Sequence, residues 1–192
     1  MAAKRGKKDE ARAQALASLI SGKHGKGSVL VLGDDSVMHD VSAISSGSIG
    51  LDRALGVWGF PCGRIVEFFG AEMSGKTTLA LHVAAQAHKG EKDSLVGIVD
   101  AEHALSPQYA QALGLDLSRT LISQPDCGEQ GLEITRALVE SGECAVVIVD
   151  SVAALVPQAE IDGEFGDAHV ALQARLMGQA MRVLTKSVSN SR

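Results

Sequence analysis

Apolar positions in this chain follow two alternating patterns. Short continuous runs occupy residues 64–69, 95–99, 120–122 and 144–149, and stretches of helical period separate them at 79–85, 107–113, 128–140 and 168–188. Runs of that length, apolar on both sides of the pleat, predict strands covered on both faces, and their alternation with helices predicts a parallel sheet. Ahead of them, residues 9–21 turn helical, with Arg12, Leu16, Leu19 and Ile20 on one side and acidic residues at the start. Gly22, Gly25 and Gly27 then break the pattern. Residues 29–32 and 37–41 read as two short strands around a Gly33-Asp34-Asp35 turn. A single helix of that size does not stay folded alone, so its apolar side packs either on its own core or on a neighbouring subunit. Gly47, Gly50, Gly56, Gly59 and Gly63 punctuate a loop-rich approach to the first core strand.

Between the first run and the first core helix lies Gly70-Ala71-Glu72-Met73-Ser74-Gly75-Lys76-Thr77-Thr78. A strand, a glycine loop and a helix N-terminus together make an anion cradle: inward backbone N–H groups and the helix dipole place positive charge where phosphates sit. In this pattern Lys76 reaches the β- and γ-phosphates and the Thr77 hydroxyl joins a Mg²⁺ shell. The reading is therefore binding of a nucleoside triphosphate. In an open parallel sheet ligands lie at the carboxyl ends of strands, where Glu102 and Asp150 fall. Asp150 closes an apolar run, the pattern of a carboxylate that steadies Mg²⁺. Glu102 fits either a base that takes a proton from attacking water or a helix-start residue. Tyr109, the one tyrosine, either stacks on a base or packs.

The composition narrows the partners. The 192 residues suit one α/β domain with a real core, and with 3 % aromatics that core is built from Val, Ile, Leu and Ala. A net charge of −5 gives no global pull toward nucleic acid or membrane, so any DNA contact is local. Cys62, Cys127 and Cys144 are odd in number and widely spaced, as expected of reduced thiols. Residues 1–8 read as a disordered basic tail with no apolar signal core behind it, and no run approaches membrane-spanning length. These features predict a soluble, cytoplasmic protein without a membrane partner. One stretch is locally basic. After a glycine-bearing acidic segment at 160–167, read as a mobile loop, the last helix puts Met177, Met181, Leu184 and Val188 on one face and Arg175, Arg182 and Lys186 on the opposite one. Three cations on one face either grip phosphates or form an ordinary solvated surface.

Taken in order, several blocks resemble one family, the bacterial RecA-type recombinases. They are Gly25-Lys26-Gly27-Ser28, Ser46-Gly47-Ser48-Ile49-Gly50-Leu51-Asp52, Gly63-Arg64-Ile65-Val66-Glu67 and the phosphate loop. They continue with Asp100-Ala101-Glu102-His103-Ala104-Leu105, Ser123-Gln124-Pro125-Asp126 with Gly128-Glu129-Gln130, Val149-Asp150-Ser151-Val152-Ala153-Ala154-Leu155, and Gly178-Gln179-Ala180-Met181-Arg182. The resemblance implies a P-loop NTPase fold, a RecA-like core with a mainly parallel twisted sheet flanked by helices and preceded by a small helix-strand unit. It implies three regions: a tail at 1–8, a protomer-docking unit at 9–42 and an ATPase core at 43–192. It also implies a DNA-dependent, ATP- and Mg²⁺-using recombinase that forms a helical filament on single-stranded DNA and pairs it with duplex DNA. Stimulation of self-cleavage of a LexA-type repressor in the SOS response comes with it.

Carried onto this sequence, the resemblance makes Glu102 and Lys76 catalytic, and puts the nucleotide on residues 70–78, Tyr109 and Asp150. The metal falls to Thr77 and Asp150. DNA falls to Gly163, Glu164, Phe165, Gly166, His169, Val170, Arg175 and Arg182. The sequence also departs from the family pattern. Ala71 and Met73 stand for a usual Pro and Ser, Ser106 for an Asp at the adenine edge, Val170 for a Met and Gly178 for a Ser. The chain stops at Arg192, before the strand, glutamine switch, second DNA loop and carboxyl-terminal domain expected of the family, so the ATPase core is expected to be incomplete at that end.

Overall fold

The computed structural model describes residues 2–25, 27–32, 41–90, 94–164 and 171–190. It divides into two compact units, residues 1–41 and 42–192. The first holds helix α1, Ala2–His24. The helix passes through Gly22 and extends back into the stretch read as a basic tail; it stops where Gly25 takes φ +103°, a conformation that favours glycine. Residues 29–32 form no strand and are largely exposed, Leu32 at 86 %. Most of the second predicted strand, at 37–41, lies outside the described residues, as does the turn at 33–35.

The second unit is the α/β core. Strands β1 (Ala43–Ile44) and β2 (Phe60–Pro61) form a small antiparallel pair around helix α2 (Ile49–Ala54). Ser48 caps α2, and the buried Asp52 closes the approach, its carboxylate taking the Ser46 N–H at 2.8 Å and the Ser45 hydroxyl at 2.6 Å. Neither α2 nor the β1–β2 pair is foretold by the glycine-rich pattern there. Helix α3 (Lys76–Gly90) follows the glycine loop. Then come β3 (Leu95–Asp100), α4 (Pro107–Ala112), β4 (Thr120–Ser123), α5 (Gly128–Ser141) and β5 (Cys144–Asp150). After β5 lie a short α6 (Gln158–Ile161) and the long α7 (Leu172–Asn190).

The main sheet has the order β4-β3-β5, all parallel, with Asp100 opposite Asp150 at the shared carboxyl end. Central β3 is buried, and its Val96 and Ile98 share one cluster with Leu81, Ala84, Ala110 and Leu115. Strand β5 is only half-buried although its sequence is almost wholly apolar. The run at 64–69, predicted as a strand, belongs to no ladder among the described residues, and Ile65, Val66 and Phe69 are exposed. An apolar run states what a segment buries against; it does not supply the neighbouring strand that makes a ladder.

A second apolar cluster joins Leu132 of α5, Leu155 after β5, and Ala180 and Leu184 of α7. Met177 and Met181 pack against it, so the predicted apolar face of the last helix is the one turned inward. That helix begins at Leu172, four residues later than its pattern suggests, and residues 165–170 lie outside the described set. Part of the segment read as a mobile loop, through Ile161, is a helical turn. None of the three cysteines is joined in a disulfide. Among the described residues, no helix is long and apolar enough to cross a membrane.

Candidate nucleotide site

The site is built where α3 begins and β3 and β5 end. Gly70 and Gly75 carry φ +156° and +94°, and the turn between them leaves residues 70–75 exposed, Met73 fully so. The first α3 bond, Leu79 N–H to Gly75 O at 2.9 Å, leaves the earlier backbone N–H groups of the helix free of helical partners. Lys76 folds back over the loop and donates to the Gly70 and Ala71 carbonyls at 3.1 and 2.9 Å. One residue on, the Thr77 hydroxyl donates to Asp150 Oδ2 at 2.6 Å, a contact across 73 residues of sequence. Thr78 shares a hydrogen bond with the Tyr109 hydroxyl at 2.9 Å, tying α4 to the base of the loop; Tyr109 is 44 % exposed.

Glu102 stands beside this group. Its backbone turn is held by β5: Ala101 and Glu102 N–H both point to the Asp150 carbonyl, at 2.8 and 3.4 Å. Its side chain accepts the Ser151 hydroxyl at 2.5 Å. Asp150 and Ser151 are joined by a cis peptide bond. Underneath, Asp100 is buried, and its two oxygens take the N–H groups of Ala104 and Leu105 and the side-chain amide of Gln124. This buried carboxylate fixes the 101–105 turn, and so fixes where Glu102 emerges. A recess of about 90 Å³ opens here, lined by Thr77, Asp100, Glu102 and Asp150 over an apolar floor that includes Leu81, Ile98 and Ile148.

The sheet thus brings Lys76, Thr77, Glu102, Asp150 and, through Thr78, Tyr109 to one end. The positioning roles of Asp100, Gln124 and Ser151 are not read from the sequence, although all three fall in its quoted blocks. The signal was a polar residue closing or following each strand end. Gln173 of α7 reaches the same region, its amide donating to the carbonyls of Val152, Ala153 and Leu155 just past Ser151.

The predicted DNA residues lie apart from this cluster in sequence. Gly163 and Glu164 follow α6, Arg175 and Arg182 are exposed on α7, and Phe165, Gly166, His169 and Val170 lie outside the described residues. Ser106, where the family pattern has an Asp, caps α4 by accepting from Tyr109 N–H at 3.3 Å.

The residues fit a Mg²⁺–nucleotide. Thr77 and Asp150 offer hard oxygen donors beside a helix N-terminus and a lysine, and Mg²⁺ at phosphates typically needs one or two protein carboxylates and no larger cage.

Known proteins resemble this chain along most of its length. The model of the RecA N-terminal domain matches residues 11–192. Protein RecA of Clostridium novyi (strain NT) is 57 % identical over 179 residues, which cover 93 % of this chain and 50 % of that protein. Protein RecA of Clostridium botulinum (strain Alaska E43 / Type E3) is 59 % identical over 172 residues, 90 % of this chain and 48 % of the relative. Protein RecA of Chlorobaculum parvum (strain DSM 263 / NCIMB 8327) is 54 % identical over 167 residues, again 48 % of its length. The chain spans about half the length of the curated relatives it matches. It carries a RecA-like α/β core and belongs to the RecA N-terminal domain family.

Proposed function

We propose that this chain supplies the ATP-binding and DNA-binding parts of a DNA-dependent ATPase and homologous recombinase. The observation that carries the reading is the 2.6 Å Thr77–Asp150 contact, set between the glycine loop and Glu102 at the carboxyl ends of β3 and β5. Residues 70–78 cradle the phosphates, Lys76 leaves the loop carbonyls for the phosphate oxygens, and Tyr109 flanks the base. Thr77 and Asp150 hold Mg²⁺, which when bound offsets charge on the β- and γ-phosphates. Glu102, steadied by Ser151, takes the proton of the attacking water.

Single-stranded DNA contacts Gly163, Glu164, Phe165, Gly166, His169, Val170, Arg175 and Arg182, and the resulting filament pairs with duplex DNA. Residues 9–42 dock on the next protomer, a role that suits Leu16 and Leu19, 59 % and 61 % exposed on α1; residues 43–192 form the ATPase core. Family membership also supports stimulation of LexA-type repressor self-cleavage and a cytoplasmic location.

A second reading has one observation in its favour. Residues 70–75, Thr77 and Glu102 are all exposed, and among the described residues no water-excluding cover of the kind that assists phosphoryl transfer lies over them. On that reading the 192-residue chain binds ATP and docks partners without turning ATP over. Hydrolysis measured with and without oligo-dT, on the wild type and on Glu102→Gln, separates the two. DNA-stimulated turnover lost in Glu102→Gln supports the ATPase; intact ATP binding with no turnover supports the docking module.

A further inference from the structure

Helix α7 divides sharply by charge. It has 19 residues and no carboxylate, in a chain with five more acidic than basic residues. Its inward side is closed: Leu176, Met177, Ala180, Met181 and Leu184 pack in the second apolar cluster, and Ser187 donates to Glu140 of α5 at 2.8 Å. Its exposed residues include Arg175, Gln179, Arg182 and Lys186, beside the uncharged Ala174, Val183, Thr185 and Ser189. At 100° and 1.5 Å per residue Arg175, Gln179, Arg182 and Lys186 lie within about 60° of arc and along about 16 Å of axis. Arg182 leans back along the helix: its Nη1 stands 3.9 Å from the place a Cβ on Gly178 would occupy, an ordinary contact distance.

We propose that Lys186 is a further phosphate contact on this face, and that the occupant of the whole line is the sugar–phosphate backbone of one DNA strand. The proposal rests on the reading of Arg175 and Arg182 as DNA contacts and extends it beyond the residues that reading names. A line one residue wide, about five phosphates long at about 3.4 Å each, matches one strand. It offers three cations and one amide to phosphate oxygens. An ammonium on a flexible stem is a point charge without planar geometry, so Lys186 adds affinity that does not depend on base sequence.

The test is fluorescence anisotropy of labelled oligo-dT with the full 192-residue chain across a range of salt. Each phosphate neutralised on a single strand contributes about 0.7 to the slope of log K against log salt. Lys186→Ala should flatten the slope by about 0.7, so a fourfold rise in salt weakens it about 2.6-fold less than wild type. Arg175→Ala should flatten it similarly, and Lys186→Arg should keep the wild-type slope. So should Lys89→Ala, at an exposed lysine in the last turn of α3. An unchanged slope in Lys186→Ala beside a flattened one in Arg175→Ala would overturn the proposal and leave the DNA reading standing. A slope changed by Lys186→Ala on blunt duplex alone would overturn the single-strand assignment. Wild type without salt-dependent binding would remove the DNA reading and this proposal together.

Discussion

Leu155 and Gly131 provide a quantitative check on the packing that holds the end of β5. Leu155 is 1 % exposed and fills the space between α5 and α7, five residues past Asp150. Its Cδ2 lies 2.9 Å from where a Cβ on Gly131 would stand, and its carbonyl carbon 3.2 Å from the same position on Gly128. Backbone walls of that kind relax little, so Leu155→Ala should cost about 3–5 kcal/mol, the upper part of the range for buried leucines. For a chain of this length that lowers Tm by roughly 6–20 °C. Gly131→Ala gains about 1 kcal/mol of helix propensity but forces a methyl onto Leu155 and onto Pro125 Cγ at 3.1 Å, an overpacking cost of about 1–3 kcal/mol. Its net effect should be a loss of about 0–2 kcal/mol. In the double variant the new methyl enters the space Leu155 vacates. The two changes should therefore couple, the pair being about 1–2 kcal/mol less destabilised than the sum of the singles. Urea unfolding of the four proteins measures this directly. Additivity within about 0.5 kcal/mol would refute the contact and the packing argument with it.

Two further outcomes follow from buried polar groups. His88 is buried, its Nδ1 accepts the Asp116 N–H at 3.3 Å, and burial first, then the Arg119 charge, hold its pKa below the usual histidine value; the nearby Asp116 carboxylate opposes this. The folded protein thus prefers neutral His88, the unfolded chain binds the extra proton, and stability rises with pH through this region. The contribution is fully present above about pH 6.5 and is lost as pH falls through the lower folded value. Unfolding free energies from pH 5 to 8 should show that slope in wild type and lose it in His88→Gln. Asp100→Ala removes the acceptor of three donors and should cost about 2–5 kcal/mol by urea unfolding; a loss below 1 kcal/mol would mean the 101–105 turn holds itself.

The sequence made the parallel sheet legible because β3, β4 and β5 each carry a compact apolar run between helical stretches. The glycine loop was legible because its spacing states a backbone requirement. Residues 64–69 misled for the converse reason: Ile65, Val66 and Phe69 look like strand residues, yet a strand is a pairing, and pairing is not encoded in one segment. Helix α2 hides among glycines because its start rests on the Ser48 cap and on the buried Asp52, a local device without periodicity. At the site, Lys76, Thr77 and Asp150 were nameable from pattern alone. The Ser151–Glu102 bond and the Asp100 clamp were not, since each joins residues whose proximity only the folded sheet creates.

The central claim is that the glycine loop and Asp150 together make a Mg²⁺–nucleotide site. Calorimetric titration of MgATP into wild type and Lys76→Ala tests it most directly. Saturable wild-type binding that weakens when Mg²⁺ is removed, and that Lys76→Ala abolishes without loss of the far-UV circular dichroism signal, is the expected result. Equal affinity in the two proteins would contradict the site.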